Sequence, residues 1–160
     1  SLQNLTLPLD FYWSPNEAFL VAHQKKDLYW IDLGQASRRK KVFSFEPVEF
    51  QWVPSEKQLL LNDEAKKLYH LDPALTLQPI DLTADLAESA WIDEKTLLFM
   101  NVDPEARRTE LKTYDPETGR VVTLVTKFEF IGTELSFDQT NQTAYIQKDS
   151  GEWYELKLSL

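Results

Sequence analysis

The sequence predicts an all-β domain of tandem repeats. Two observations carry this: an aromatic-anchored motif recurs four times, and each copy runs on into strand-forming segments in the same order. The motif begins Phe11-Tyr12-Trp13-Ser14-Pro15-Asn16, Phe50-Gln51-Trp52-Val53-Pro54-Ser55, Ser89-Ala90-Trp91-Ile92-Asp93-Glu94 and Glu134-Leu135-Ser136-Phe137-Asp138-Gln139. Trp13, Trp52 and Trp91 follow one another at intervals of 39 residues, and Phe137 stands 46 after Trp91, so the third unit carries an insertion.

Each unit continues alike. A first apolar run follows the turn, as in Phe19-Leu20-Val21, Leu59-Leu60-Leu61, Leu97-Leu98-Phe99 and Ala144-Tyr145-Ile146. A second reads Leu28-Tyr29-Trp30-Ile31-Asp32, Leu68-Tyr69-His70-Leu71-Asp72, Leu111-Lys112-Thr113-Tyr114-Asp115 and Trp153-Tyr154-Glu155-Leu156. A third closes three of the units: Lys41 to Phe45, Leu75 to Ile80 and Arg120 to Val125. The runs are short, rich in aromatic and β-branched residues, and bounded by turn formers. Gly34, Gly119 and Gly151 stand at or beside strand ends, where a positive φ is often required. The one helical candidate, Thr83 to Glu88, is read as a turn-like connector.

Four strands in a unit of about 40 residues match the blade arithmetic of a β-propeller. The expected architecture is a single domain over residues 1–160, a small propeller of four four-stranded blades. The blades run over roughly 11–46, 47–86, 87–130 and 131–160 plus 2–9. The fourth unit lacks an outer strand, and Leu5-Thr6-Leu7 is expected to supply it, closing an edge that would otherwise invite aggregation. The alternatives are half of an eight-bladed ring formed by two chains, and a fragment of a longer propeller.

The units resemble the WD40-like repeats of TolB-type propellers. The residues that carry the likeness are Trp13-Ser14-Pro15-Asn16 with Leu28-Tyr29-Trp30-Ile31-Asp32, then Trp52-Val53-Pro54 with Leu68-Tyr69-His70-Leu71-Asp72. The fourth unit departs furthest, with Phe137 for Trp, and the family's first-turn Gly is missing from all four. Such repeats also resemble the extracytoplasmic part of membrane-anchored winged-helix transcription regulators of the CadC/ToxR kind. That resemblance implies a periplasmic sensing or signalling domain.

Composition narrows the chemistry. A net charge of −9 argues against direct nucleic-acid contact and against an anionic membrane surface. The absence of cysteine excludes disulfides, thiolate chemistry and Cys-ligated zinc. No apolar run approaches the ~18 residues of a membrane span. The chain begins at Ser1 rather than Met, as a mature product or an excised domain would.

No residue set announces catalysis, a cofactor or a metal. The matched tryptophans are read as packing between sheets rather than as a sugar platform. Trp30 and Trp153 are left open by strand alternation. Asp32, Asp72 and Asp115 stand at strand ends as turn initiators, without the spacing of a calcium loop. His23 and His70 occupy unmatched positions and are read as solvated or half-buried. Arg38 to Lys41 is read as a solvated loop guarding an apolar strand that starts at Val42. Asp103 to Arg108 lengthens the third unit as a loop insertion.

The expected role is therefore a non-catalytic binding or sensing domain with a protein, peptide or small-ligand partner. A propeller enzyme such as a glycoside hydrolase or lyase is one alternative. A self-association module, forming a homodimer, is the other.

Overall fold

A computed structural model describes residues 9–55 and 58–159. Every strand pairing in it is antiparallel, and four separate sheets form. Sheet 1 holds β1 (Asp10–Trp13), β2 (Phe19–Gln24), β3 (Asp27–Asp32) and β4 (Ser37–Val42) in that spatial order. Sheet 2 holds β5 (Glu49–Trp52), β6 (Leu59–Asn62), β7 (Lys67–Leu71) and β8 (Leu77–Thr83). Sheet 3 holds β9 (Ser89–Trp91), β10 (Leu97–Asp103), β11 (Arg108–Asp115) and β12 (Arg120–Phe128). Sheet 4 has three strands among the described residues: β13 (Gly132–Asp138), β14 (Thr143–Lys148) and β15 (Trp153–Lys157). The segment expected to complete it, Leu5 to Leu7, lies outside the described residues. The connector before β9 is a 3-10 turn, Leu86–Glu88, capped by the Asp85 carboxylate accepting from the Ala87 N–H.

Meandering sheets follow from the turns. Glu17 occupies the position where the resembled family has Gly, and its φ is +56°; Gln142 in the matching turn of sheet 4 has φ +52°. A left-handed turn is thus kept without the residue that adopts it at least cost. Ser14 helps to hold the first turn: its hydroxyl lies 2.9 Å from Asn16 Oδ1 and accepts from the Phe19 N–H.

The chain forms two compact units, Ser1–Asp81 and Leu82–Leu160, each with its own core. In the first unit, register puts Phe50, Leu61 and Tyr69 in one row and Trp52, Leu59 and Leu71 in the next, on one face of sheet 2. We call this the front face. It packs on the back face of sheet 1, which carries Tyr12, Phe19, Val21, Leu28 and Trp30. Trp52 lies 5.1 Å from Trp30 and 6.4 Å from Phe19 between ring centroids, and its indole N–H donates to the Tyr12 carbonyl at 3.1 Å.

The second unit repeats the arrangement. The front face of sheet 4 (Leu135, Phe137, Ala144, Ile146, Tyr154 and Leu156) packs on Leu98, Met100 and Leu111 of sheet 3. Thr109, fully buried, ties the passage between these sheets. Its hydroxyl donates to the Phe130 carbonyl and accepts from the Gly132 N–H, both at 2.8 Å. A Cβ on Gly132 would stand 2.7 Å from Met100 Sδ, so the close approach requires glycine.

Two local expectations are corrected. Arg38 to Lys41 is not a loop before a strand; these residues are the core of β4, in register with β3 from Asp27↔Val42 to Asp32↔Ser37. Phe43, expected in that strand, leaves it and is buried in the core, while Phe45 stacks on Tyr69 at 4.6 Å. Burying those two rings on sheet 2 outweighs extending an edge strand, and long cationic side chains tolerate an edge. The insertion in the third unit is not a free loop either. It lengthens the β10–β11 hairpin, paired from Leu97↔Tyr114 to Asp103↔Arg108.

Candidate functional site

The three matched tryptophans do not share one environment. Trp52 is 8% exposed, as packing between sheets requires. Trp13 is 57% exposed, which corrects the core reading for that position. The reason is geometric. The front face of sheet 2 has sheet 1 behind it, whereas the same face of sheet 1 stands open at its flanks.

That face can be built row by row. Register aligns Phe11, Ala22, Tyr29 and Lys40 across the four strands, and Trp13, Leu20, Ile31 and Arg38 in the next row. Directly opposed residues of an antiparallel pair point to the same side, so all eight share the front face. Val42 and Leu33 fall on it by alternation. Phe11, Trp13, Leu33 and Val42 are all exposed, half of the exposed large apolar side chains among the described residues. Leu20 and Ala22 between them are buried. Arg38 and Lys40 lie over the Tyr29 ring at 5.5 and 5.6 Å from its centroid, and Lys40 pairs with Asp27 at 3.4 Å. The outcome is a face with aromatic groups on its first strand and cations on its last. An apolar patch rimmed by charge is the usual signature of an interaction surface.

A polar cluster lies on the other side of β1. Asp10 is opposite His23 in register, with 3.9 Å between Oδ2 and Nδ1. His23 is buried rather than solvated: its Nε2 meets the Lys25 carbonyl and its ring packs on Phe50 at 4.7 Å. Glu49 accepts from the Asn62 amide at 3.0 Å and lies 4.0 Å from Lys66. Burial, then the Asp10 and Glu49 carboxylates, hold the Tyr12 hydroxyl above its ordinary range. Sequence reading overlooked that Asp10, Glu49, Glu88 and Glu134 each stand three residues before the unit's aromatic. The spacing was available as a signal. Glu88 accepts from the Leu135 N–H at 3.0 Å, so one of these acids joins neighbouring sheets.

The remaining sequence candidates fall apart. Trp30 is fully buried and Trp153 is 51% exposed. Asp32 accepts from the Gly34 and Gln35 N–H groups, Asp72 from Thr76, and Asp115 from Glu117 and Thr118. These are turn bonds. Slight burial works against the Asp115 carboxylate, yet those hydrogen bonds and nearby Lys95 hold it below the usual range; Asp138 is held low by Asn141 and Thr140. Both shifts oppose general-acid use. His70 is half-buried, and burial lowers its pKa against a smaller opposing pull from Asp72. Among the described residues no group of three His, Cys, Asp or Glu is placed to hold a metal ion. A shallow groove of about 370 Å³ lies among Lys26, Phe45, Glu46, Asp63, Glu64 and Ala65.

Comparison with solved structures finds propellers. A putative TolB from Agrobacterium tumefaciens matches at 15% identity and TM-score 0.59, over 92% of this chain and 56% of that one. The β-propeller domain of Cps50 (Swd1) from Myceliophteria thermophila matches at 13% identity and TM-score 0.58, over 93% and 52%. The CNH domain of AfRom2 matches at 11% identity and TM-score 0.65, over 94% and 52%. The chain thus has a TolB-like propeller fold and spans about half the length of these structures. No family model matches it, and no curated protein sequence does. No helix among the described residues is long and apolar enough to cross a membrane.

Proposed function

We propose that the chain is a non-catalytic binding module, and that its partner is a protein seated on the front face of sheet 1. The observation that carries this reading is the matched pair Trp13 and Trp52. One motif places the same ring on the same face of two sheets, and only one ring is covered. An uncovered Trp and Phe in register, rimmed by Arg38 and Lys40, have the composition of an interface centre: aromatic and Arg groups dominate such surfaces. The setting proposed is extracytoplasmic, as the periplasmic part of a bacterial signalling or transcription-regulatory protein. The likeness of the repeats to that regulator class supports it.

The test is site-specific photo-crosslinking in cells. A photoreactive residue in place of Leu33 or Val42, on the open face, is expected to trap one defined protein band. The same residue in place of Thr118, in a turn of sheet 3, is expected to trap none. Equal trapping at all three positions contradicts the reading. So does turnover of chromogenic glycosides that is lost in Asp10→Asn or Glu49→Gln.

A further inference from the structure

We infer that the occupant of the sheet 1 front face is the back face of sheet 4 from a second copy of this chain. The inference rests on the binding reading above and gives that reading its partner.

Within each unit the covering element is always the same: the back face of one sheet covers the front face of the next. Sheet 1 is the first sheet of its unit, so no sheet precedes it there. The flanks of its front face, Phe11, Trp13, Leu33 and Val42, stay exposed around the buried Leu20 and Ala22, and the element that covers this face in the next sheet is a sheet back face. Among the described residues, the back face of sheet 4 is such a face in exposed form. Register puts Glu134, Gln147 and Trp153 in one row on the back of sheet 4, and Ser136, Tyr145 and Glu155 in the next. Trp153 is 51% exposed, and Glu134, Ser136 and Glu155 are exposed beside it.

The two faces complement each other in kind. Each has an exposed Trp. The front face of sheet 1 ends in the cations Arg38 and Lys40, while the back face of sheet 4 carries the carboxylates of Glu134 and Glu155. Charge of opposite sign across a docking surface sets register and excludes wrong pairings. Every copy offers one face of each kind, so a single contact of sheet 1 on sheet 4 joins two copies. A charge of −9 on each copy opposes approach at long range, and salt at ~0.15 M screens it beyond about 8 Å.

The experiment is sedimentation equilibrium on the full chain in 0.15 M salt, with Trp13→Glu, Trp153→Glu and their mixture. Both side chains are exposed, so each variant is expected to keep the urea midpoint of the wild-type monomer. Wild type is expected to dimerise, and either variant alone to weaken the dimer by roughly 30-fold or more, the loss of one interface hot spot. The mixture is expected to regain association, because the Trp13→Glu copy still has a sound sheet 4 face and its partner a sound sheet 1 face. A dimer of sheet 1 against sheet 1 cannot show that rescue, and its absence overturns the proposal. A wild-type monomer at every concentration overturns it too. If the crosslinking above then traps a different protein, the binding reading stands without the second copy; if it traps nothing, both fall.

Discussion

Trp52→Ala is expected to cost about 3–5 kcal/mol of unfolding free energy, while Trp13→Ala changes the monomer by less than about 1 kcal/mol. The two residues occupy the same place in the same motif, so propensity and local sequence nearly cancel in the comparison. Trp52 fills the space between sheets 1 and 2 against Trp30 and Phe19. Its removal leaves a cavity that stiff strands cannot close, and strips the Tyr12 carbonyl of an indole donor. Trp13 keeps more than half of its surface in water. Urea unfolding of both variants at low protein concentration measures the contrast. Equal losses would show that the front face of sheet 1 is covered.

Thr109→Val is expected to cost about 2–4 kcal/mol, although it barely changes volume. The Thr109 hydroxyl is the donor for the Phe130 carbonyl and the acceptor for the Gly132 N–H. Valine offers neither, and a buried backbone group without a partner costs about 1–3 kcal/mol. Thr109→Ser keeps the hydroxyl and is expected to lose far less. Urea midpoints of the pair separate the hydrogen bonds from the packing. A Thr109→Ser loss as large as that of Thr109→Val would assign the effect to the methyl group.

Much of the fold was legible because it is written four times. A period of 39 residues in the tryptophans, followed by matched apolar runs, is enough by itself to specify repeated units of sheet. The strand at Arg38 to Lys41 was not legible. Four consecutive cations read as loop, and only tertiary pairing with β3, helped by Tyr29 beneath Arg38 and Lys40, makes them a strand. Phe43 and Phe45 misled in the opposite sense, since β-prone aromatics can serve packing instead of pairing. The insertion at Asp103 to Arg108 was visible, but pairing across a longer hairpin depends on both strands at once.

The candidate site was half legible. The motif names Trp13 and Phe11, yet it gives Trp52 and Phe50 the same standing. Exposure is decided by whether another sheet lies in front, which no local pattern encodes. His23 shows the same limit. Its burial comes from Phe50 on a neighbouring sheet, 27 residues away in the chain. The acids three residues before each aromatic were in plain view and needed only alignment on the aromatics.

The five tryptophans allow one direct test of the open face. In the chain labelled with 5-fluorotryptophan, each resonance is assigned by Trp→Phe replacement, and a soluble paramagnetic probe reports its access to solvent. At the lowest workable concentration the Trp13 and Trp153 signals should broaden strongly and the Trp30 and Trp52 signals should not. A Trp13 signal as protected as that of Trp52 under those conditions would contradict the account.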